Sequence, residues 1–211
     1  MQINAFINRV SPEVKGAPQE MVRQALVDAA DVFCVESRAW SEVQDAVLLI
    51  NGEGQYEAEL PNGARALSVK NIWCGSNKLS PVTMDQLSVV LPDWQTATSS
   101  LPRWYCGEFD RKSFRLFPVP TLPTTAIRIQ GVFAPNESSE SLPDFLWEDY
   151  RNIIFAGAKA TLMLKPGMAW YNPQLAAVNA SAFELGINNA KIRALHGNQT
   201  GTLTVAPRSF F

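Results

Sequence analysis

The sequence predicts an α+β protein with helices at both ends of the chain and a β region between them. An apolar period of three to four residues follows Pro18 and returns over the last third of the chain, whereas residues 41–135 alternate in short runs separated by turn signals. We therefore expect an N-terminal helix and a long C-terminal helical hairpin packed together, with a central antiparallel β-sandwich or barrel-like region. The corresponding segments are an arm and helix (1–40), a β domain (41–135), the hairpin (136–196) and an extended C-terminal tail (197–211).

The predicted hairpin occupies Ser141–Leu195. Ser141 or Leu142 is expected to cap its first helix, with Pro143 in the first turn and acidic residues close behind, where they interact favourably with the positive end of the helix dipole. Pro166-Gly167 ends that helix. The second helix begins with Asn172 as its N-cap and Pro173 at its first position, so the connecting turn is short.

The second helix of the hairpin carries two apolar stripes, although a helix packed once against a core needs only one. Two readings stay open: the helix packs on a second body as well as on its own core, or it is buried inside a three-helix monomer. Small residues on the first helix, from Ala156 to Ala160, favour close helix contacts. We expect the second stripe to contact another subunit. The first stripe is Leu175, Val178, Ala182, Leu185 and Ile192, and the second is Ala176, Ala180, Phe183, Ile187, Ala190 and Ala194, of which Ala176, Ala180, Phe183, Ile187 and Ala190 are the predicted subunit contacts.

The N-terminal segment is predicted in three parts. Met1–Val10 alternates weakly and is expected to be an extended arm, and Ser11–Ala17 is expected to be a loop. Pro18 then starts a helix that runs to about Ser37, with its apolar side facing a core.

The middle of the chain is predicted to hold about six strands with turn signals at short intervals, the pattern of a sandwich or small barrel. A short helix capped by Thr83 is expected at Thr83–Leu91. Asp110-Arg111-Lys112 is expected to be a hairpin tip. The predicted strands are Val43–Ile50, Gln55–Leu60, Ala66–Cys74, Arg103–Phe109, Ser113–Phe117 and Ala126–Phe133.

Composition excludes several classes of protein. The 211 residues are 46% hydrophobic and 18% charged, with a net charge of −2, so there is no overall basic field for holding nucleic acid. The three cysteines match neither a disulfide framework nor a metal-binding spacing. No apolar run is long enough to span a membrane, and the first residues do not resemble a signal peptide. We expect a soluble protein with reduced thiols.

No pattern indicates catalysis, a metal or a cofactor. The single histidine, His196, follows the last helix and is expected to bind terminal carbonyl groups rather than to transfer protons. The Asn51–Gly54 segment lies between strands and lacks the lysine of a phosphate-binding loop, so a hairpin turn is expected. Glu57 and Glu59 share one strand face, where exposed carboxylates keep a sheet edge soluble. We therefore predict that the protein is not an enzyme.

The aromatic residues and the C-terminal residues are the remaining candidates for contacts with a partner. The rings near turns and element ends either seal the β layer onto the helices or anchor a partner. The last residues belong to no predicted helix or strand, so they either remain in solvent or dock in a groove on a neighbour. We predict docking. The ring residues are Trp94, Trp104, Tyr105, Trp147, Trp170 and Tyr171, and the predicted docking residues are Leu203, Val205, Arg208, Phe210 and Phe211.

Several segments together resemble the head–tail adaptor, or connector, proteins of short-tailed bacteriophages. The similarity extends over nearly the whole chain and is strongest in the last third. The segments are Pro12–Pro18 with the helix up to Trp40, Leu116–Pro120 with Ile127–Pro135, and the hairpin segments Leu142-Pro143-Asp144, Gly157-Ala158, Pro166-Gly167, Trp170–Pro173, Leu175-Ala176, Gly186-Ile187 and Ala190.

The resemblance implies a structural protein of the virion, assembled in the host cytoplasm and located at the head–tail junction. Its copies are expected to form a ring, by analogy twelvefold, beneath the portal protein and above the tail nozzle or tail tube. Genomic DNA would pass through the ring without sequence-specific binding. No catalytic residue, cofactor or metal comes with the resemblance.

Three alternatives stay open at this point. Within the virion, the chain could be a tail-tube or nozzle subunit, which differs only in its neighbours. Outside that class, it could be a glycan-cleaving enzyme with carboxylates such as Glu57 and Glu59 in the β region. It could also be a monomeric glycan-binding β module that uses its tryptophans.

Overall fold

The computed structural model describes residues 1–108, 110–121 and 125–196, and it confirms the α+β class. Helices lie at both ends of the described chain and the strands lie between them. None of the helices in these ranges combines the length and hydrophobicity that a membrane span requires. The α-helices are α1 (Ile3–Val10), α2 (Gln19–Ser37), α3 (Met84–Val90), α4 (Asp144–Glu148), α5 (Arg151–Met163) and α6 (Pro173–His196).

The strands form two main sheets and one short pair. In the first sheet β11 is central, with β4 on one side and β1 and β2 on the other, and β5 extends the sheet beyond β4. The second sheet has the order β3-β9-β8-β6, and β7 pairs with β10. The strands are β1 (Ser41–Val43), β2 (Val47–Leu48), β3 (Gln55–Glu57), β4 (Ala64–Cys74), β5 (Asn77–Lys78), β6 (Ser80–Pro81), β7 (Thr98–Ser99), β8 (Trp104–Gly107), β9 (Ser113–Phe117), β10 (Val119–Pro120) and β11 (Ala126–Pro135).

The prediction of purely antiparallel pairing is wrong at two places. β6 pairs with β8, and β7 pairs with β10, in the parallel sense. A parallel pair needs a crossover connection rather than a tight turn. Here α3 lies in the connection between β6 and β8, and the β8–β9 hairpin lies in the connection between β7 and β10. Because the chain passes through these elements first, β8 runs in the same direction as β6, and β10 runs in the same direction as β7.

The two main sheets share one hydrophobic core. Strands of both sheets contribute to it, for example Ile72 and Ile129 from the first sheet and Phe114 and Leu116 from the second. The hydroxyl of Tyr105 on β8 donates a hydrogen bond to the Lys70 carbonyl on β4, at 3.1 Å. This bond gives the polar end of a buried ring its partner and links the sheets.

Met1–Val10 is not an extended arm, because most of it forms helix α1. Its buried residues Ile3, Phe6, Ile7 and Val10 recur at the spacing of one helical face. The Phe6 ring lies edge-on to Trp147, with 5.0 Å between centroids. The weak alternation of the first residues favours a strand, but burial against the C-terminal helices selects the helix.

The predicted helix after Pro18 is confirmed as α2. Its buried side contributes Val22, Leu26 and Phe33 to a second core, which α1, α5 and α6 share. Arg38 ends the helix in the left-handed conformation, with φ of 54°, and its backbone N–H donates to the Cys34 carbonyl. Helices at opposite ends of the sequence therefore form one helical layer, as predicted.

The predicted first helix of the hairpin is interrupted. It consists of α4 and α5, separated by Asp149 and Tyr150. Tyr150 leaves helical geometry, with φ of −125° and ψ of 5°, and its ring packs on Phe33 at 4.8 Å and Phe145 at 6.1 Å between centroids. The interruption therefore lets one large ring fill the space between α2 and α4.

Two predicted caps are confirmed. The Asn172 side chain accepts a hydrogen bond from the Leu175 N–H at 3.0 Å, at the start of α6. Thr83 and Gln86 form a capping box at the start of α3, each side chain accepting from the backbone N–H of the other. The strand expected at Val43–Ile50 is two short strands, β1 and β2.

Candidate interaction surfaces

The alanine-rich stripe of α6 is covered by the chain's own helices. Ala176 and Ala190 are fully buried, and Ile187 is nearly so. Phe183 packs where α2, α5 and α6 meet: a Cβ placed on Gly157 would lie 2.8 Å from the Phe183 ring and 3.0 Å from the Ala29 Cβ. Of the predicted subunit contacts, Ala180 and Phe183 are half-buried and the others are buried. The face predicted to contact another subunit therefore packs on α5 within the chain.

The other stripe of α6 is the exposed one. Its large side chains are 41% (Leu175), 65% (Val178), 63% (Leu185) and 56% (Ile192) exposed. Ala182 and Asn189 are also exposed. With them, the spacing between successive residues of the stripe alternates between three and four. We call Leu175, Val178, Ala182, Leu185, Asn189 and Ile192 the α6 row. The sequence indicated two stripes, but it could not indicate which of them the rest of the chain covers.

A second exposed apolar surface lies at one margin of the first sheet. β1 and β2 both pair with β11, and Val43, Val47, Leu48 and Ile50 are exposed there. Free sheet edges are usually short or charged, because they invite pairing with another chain. We call these four residues the edge patch.

A cleft of about 340 Å³ lies between the C-terminal end of α6 and the first sheet. Arg38, Lys70 and Arg193 line it together with Asp149 and Tyr150. The neighbouring Tyr150 side chain raises the pKa of the Arg193 guanidinium. The charged side chains are exposed to solvent, so the cleft is a polar surface feature at the junction of the two layers.

The predicted docking residues of the tail, Leu203, Val205, Arg208, Phe210 and Phe211, lie outside the described residues. The prediction for them therefore stays a prediction.

The aromatic residues near element ends pack mostly within the chain. Trp147 contacts Phe6 and Phe155, and Trp94 contacts the ring of Phe117. The indole N–H of Trp170 donates to the Leu162 carbonyl at 3.2 Å. Trp94, Trp147 and Trp170 therefore seal the chain's own layers, whereas Tyr171 is 46% exposed.

The candidate carboxylates of the β region, Glu57 and Glu59, lie in segments with local polar partners. Glu57 is exposed, and its carboxylate lies 2.6 Å from the ammonium of Lys112, the residue before the neighbouring strand β9. The backbone of Glu59 forms hydrogen bonds with the Gln44 side chain. Within the described ranges, no group of three or more histidine, cysteine or acidic residues is placed to hold a metal ion.

The three cysteines are free thiols held in the protonated state. Cys34 and Cys74 are buried, Cys106 is half-buried, and burial raises the pKa of each. For Cys106 the neighbouring Glu108 raises the pKa further. A thiol with a raised pKa is a poor nucleophile near neutral pH.

We expect native protein to react with a thiol reagent such as DTNB at pH 8 at one site only, Cys106, and slowly. Its rate should rise with pH, because the raised pKa leaves little thiolate at pH 8. Unfolding in urea should make all three thiols react quickly. Cys106→Ser should abolish the native-state reaction; a second fast native thiol would contradict the burial of Cys34 or Cys74.

Comparison with known proteins decides the class of this chain. A family model described as SU10 adaptor protein matches residues 1–207. The chain belongs to the SU10 adaptor protein family. No curated protein matches the sequence. The match confirms the predicted resemblance to phage head–tail adaptors, and as a member of the SU10 adaptor family the protein is a structural component of a phage particle.

For a member of an adaptor family, contact surfaces are the first sites to consider. Among the exposed apolar side chains of the described residues, the α6 row and the edge patch are two groups that follow one helix and one sheet margin. Sequence reasoning identified the residues of the α6 row as a stripe and placed the predicted subunit contact on the other stripe, which packs within the chain. The edge patch was missed because its residues were placed in one regular strand.

Proposed function

We propose that this SU10 adaptor forms a homo-oligomeric ring at the head–tail junction of the virion. The ring joins the portal protein to the tail nozzle or tail tube and continues the DNA channel. The observation that carries the proposal is the exposed apolar α6 row, together with the family match over residues 1–207. A protein that works alone in solution rarely leaves such a stripe uncovered.

An adaptor must bind more than one neighbouring protein at the same time, and it therefore needs more than one contact surface. The α6 row lies on the helical layer and the edge patch on the first sheet. Two separate surfaces suit a subunit that contacts its sister copies as well as another virion protein. A copy number of twelve, expected from the portal's own symmetry, would match each adaptor to one portal subunit.

DNA passes through the ring without sequence-specific contacts to its bases. The net charge of −2 provides no overall attraction for the phosphate backbone. A channel wall must let DNA slide past, and strong phosphate contacts would oppose that movement. The protein's role toward DNA is therefore to enclose it.

The C-terminal tail docks on the portal through Leu203, Val205, Arg208, Phe210 and Phe211. Each buried phenylalanine contributes roughly 1.5–3 kcal/mol before the cost of ordering the segment. So small a contribution becomes decisive when the contact is repeated around a ring, because the copies bind together.

The proposal is tested by mixing the protein with rings of the same phage's portal protein and imaging the product by electron microscopy. We expect a second ring of density on one face of the portal. Deleting Ser209–Phe211 should leave the circular dichroism spectrum unchanged but reduce portal binding by more than about tenfold. Portal rings that remain bare with full-length protein would overturn the adaptor role; a tail-tube subunit would bind the nozzle and not the portal. Unchanged binding of the deletion variant would overturn only the docking role of the tail.

A further inference from the structure

The α6 row has the geometry of a helix–helix seam. Leu175, Val178, Ala182, Leu185, Asn189 and Ile192 alternate in steps of three and four, which is the heptad spacing. Five of the six positions are apolar and the row covers about 26 Å of helix. The spacing is therefore that of a surface that receives another helix rather than a loop or a strand.

The other described elements leave the row uncovered. α6 contacts α2 and α5 through its opposite side, where Ala176 and Ala190 are buried. A continuous apolar stripe of this length amounts to a few hundred Å², the size at which exposed patches mark contact surfaces. Covering it from the other side would remove on the order of 1,000 Å² in total from solvent, which is what a specific interface requires.

We propose that a neighbouring copy of the same chain covers the α6 row in the ring, an inference that rests on the proposed adaptor function. The row carries no charged side chain; Ser181 and Asn188 beside it are neutral, and the charged Arg193 flanks only its C-terminal end. Its composition matches the centre of a subunit interface, which is depleted in charge. Ala182 near the middle lets a helix approach closely, and the polar Asn189 restricts the register of the contact.

The contact in the ring is head-to-tail. A ring closes only when each copy presents one surface to the next copy and a different one to the previous copy. If the row met the same row of a neighbour, the contact would close at two copies. The α6 row of one copy therefore packs on another surface of the adjacent copy.

The test compares two double variants on the same helix. Val178→Gln/Leu185→Gln places two polar side chains in the row, whereas the control, Glu184→Gln/Lys191→Gln, has the same seven-residue spacing outside it. Both pairs are exposed and glutamine favours helices, so both variants should melt within a few degrees of the wild type. Portal rings are titrated with each protein, and ring occupancy is counted by electron microscopy.

We expect the row variant to need more than about tenfold more protein to fill the ring, whereas the control fills it like the wild type. Sparse single copies of the row variant should still bind the portal with normal affinity. Normal ring filling by the row variant would overturn this inference while leaving the adaptor role intact. Loss of single-copy binding would show that the row docks on the portal instead. Failure of the wild type to form a ring would overturn the proposed function itself.

The head-to-tail arrangement has its own test in a single thiol placed on the row. Leu185→Cys puts a reactive side chain at an exposed position of α6. In rings assembled from this variant and oxidised, we expect no disulfide between the introduced thiols of two copies, because the row faces a different surface of its neighbour. A crosslinked dimer that forms through this position would overturn the head-to-tail contact.

Discussion

Replacing Phe33 by alanine is expected to lower the free energy of unfolding by about 3–5 kcal/mol. Phe33 lies on α2 and is completely buried in the helical core, with its ring 4.8 Å from that of Tyr150. Removing the ring leaves a cavity between helices from opposite ends of the sequence. Because a typical domain has only about 5–15 kcal/mol of stability, the loss is a large share of the total. Urea unfolding followed by circular dichroism measures it.

The neighbouring residue provides the control. Val32 precedes Phe33 on the same helix, but its side chain is 45% exposed. Val32→Ala removes fewer contacts and gains some helix propensity, so the free energy of unfolding should change by less than about 1 kcal/mol. A loss of similar size in both variants would mean that α2 does not present Phe33 to the core.

Replacing Gly157 by valine is expected to destabilise the helical layer by about 1–3 kcal/mol, because it overfills a close contact. Gly157 lies on α5, where a Cβ would already be 2.8 Å from the Phe183 ring and 3.0 Å from the Ala29 methyl group. The larger side chain must push α5 away from α2 and α6. Thermal unfolding followed by circular dichroism should show the lower melting temperature.

Gly107→Val is the matched control for this effect. Gly107 lies at the end of β8, and a Cβ added there meets no described atom within 4 Å. Valine also favours extended backbone, so this variant should melt close to the wild type. Equal destabilisation at positions 107 and 157 would show that the loss of a glycine, rather than the crowding at Gly157, is responsible.

The sequence predicted correctly those helix starts that are marked by a proline or by a capping side chain. Thr83 and Asn172 cap helices because their side chains accept hydrogen bonds from nearby N–H groups, and Pro18 precedes α2. The predicted hairpin tip at residues 110–112 is likewise stabilised locally, because the Asp110 side chain accepts hydrogen bonds from Ser113.

Long-range contacts decided the features that the sequence did not reveal. Helix α1 forms because Phe6 meets Trp147 and Phe155, residues that are far away in the chain. The break before α5 accommodates Tyr150 against Phe33. The two parallel strand pairs depend on how the chain crosses over between them. In each case the local pattern allowed more than one structure, and burial against a distant partner selected one.

The sequence by itself determined the α+β class, the helical hairpin, the two apolar stripes of its second helix and the membership of an adaptor family. Only the tertiary structure decided which stripe is free. Both stripes satisfy the period of a helix, so periodicity cannot distinguish them. The distinction comes from Gly157, whose missing side chain lets Phe183 and the alanine-rich stripe approach α5 and leaves Leu175, Val178, Leu185 and Ile192 exposed.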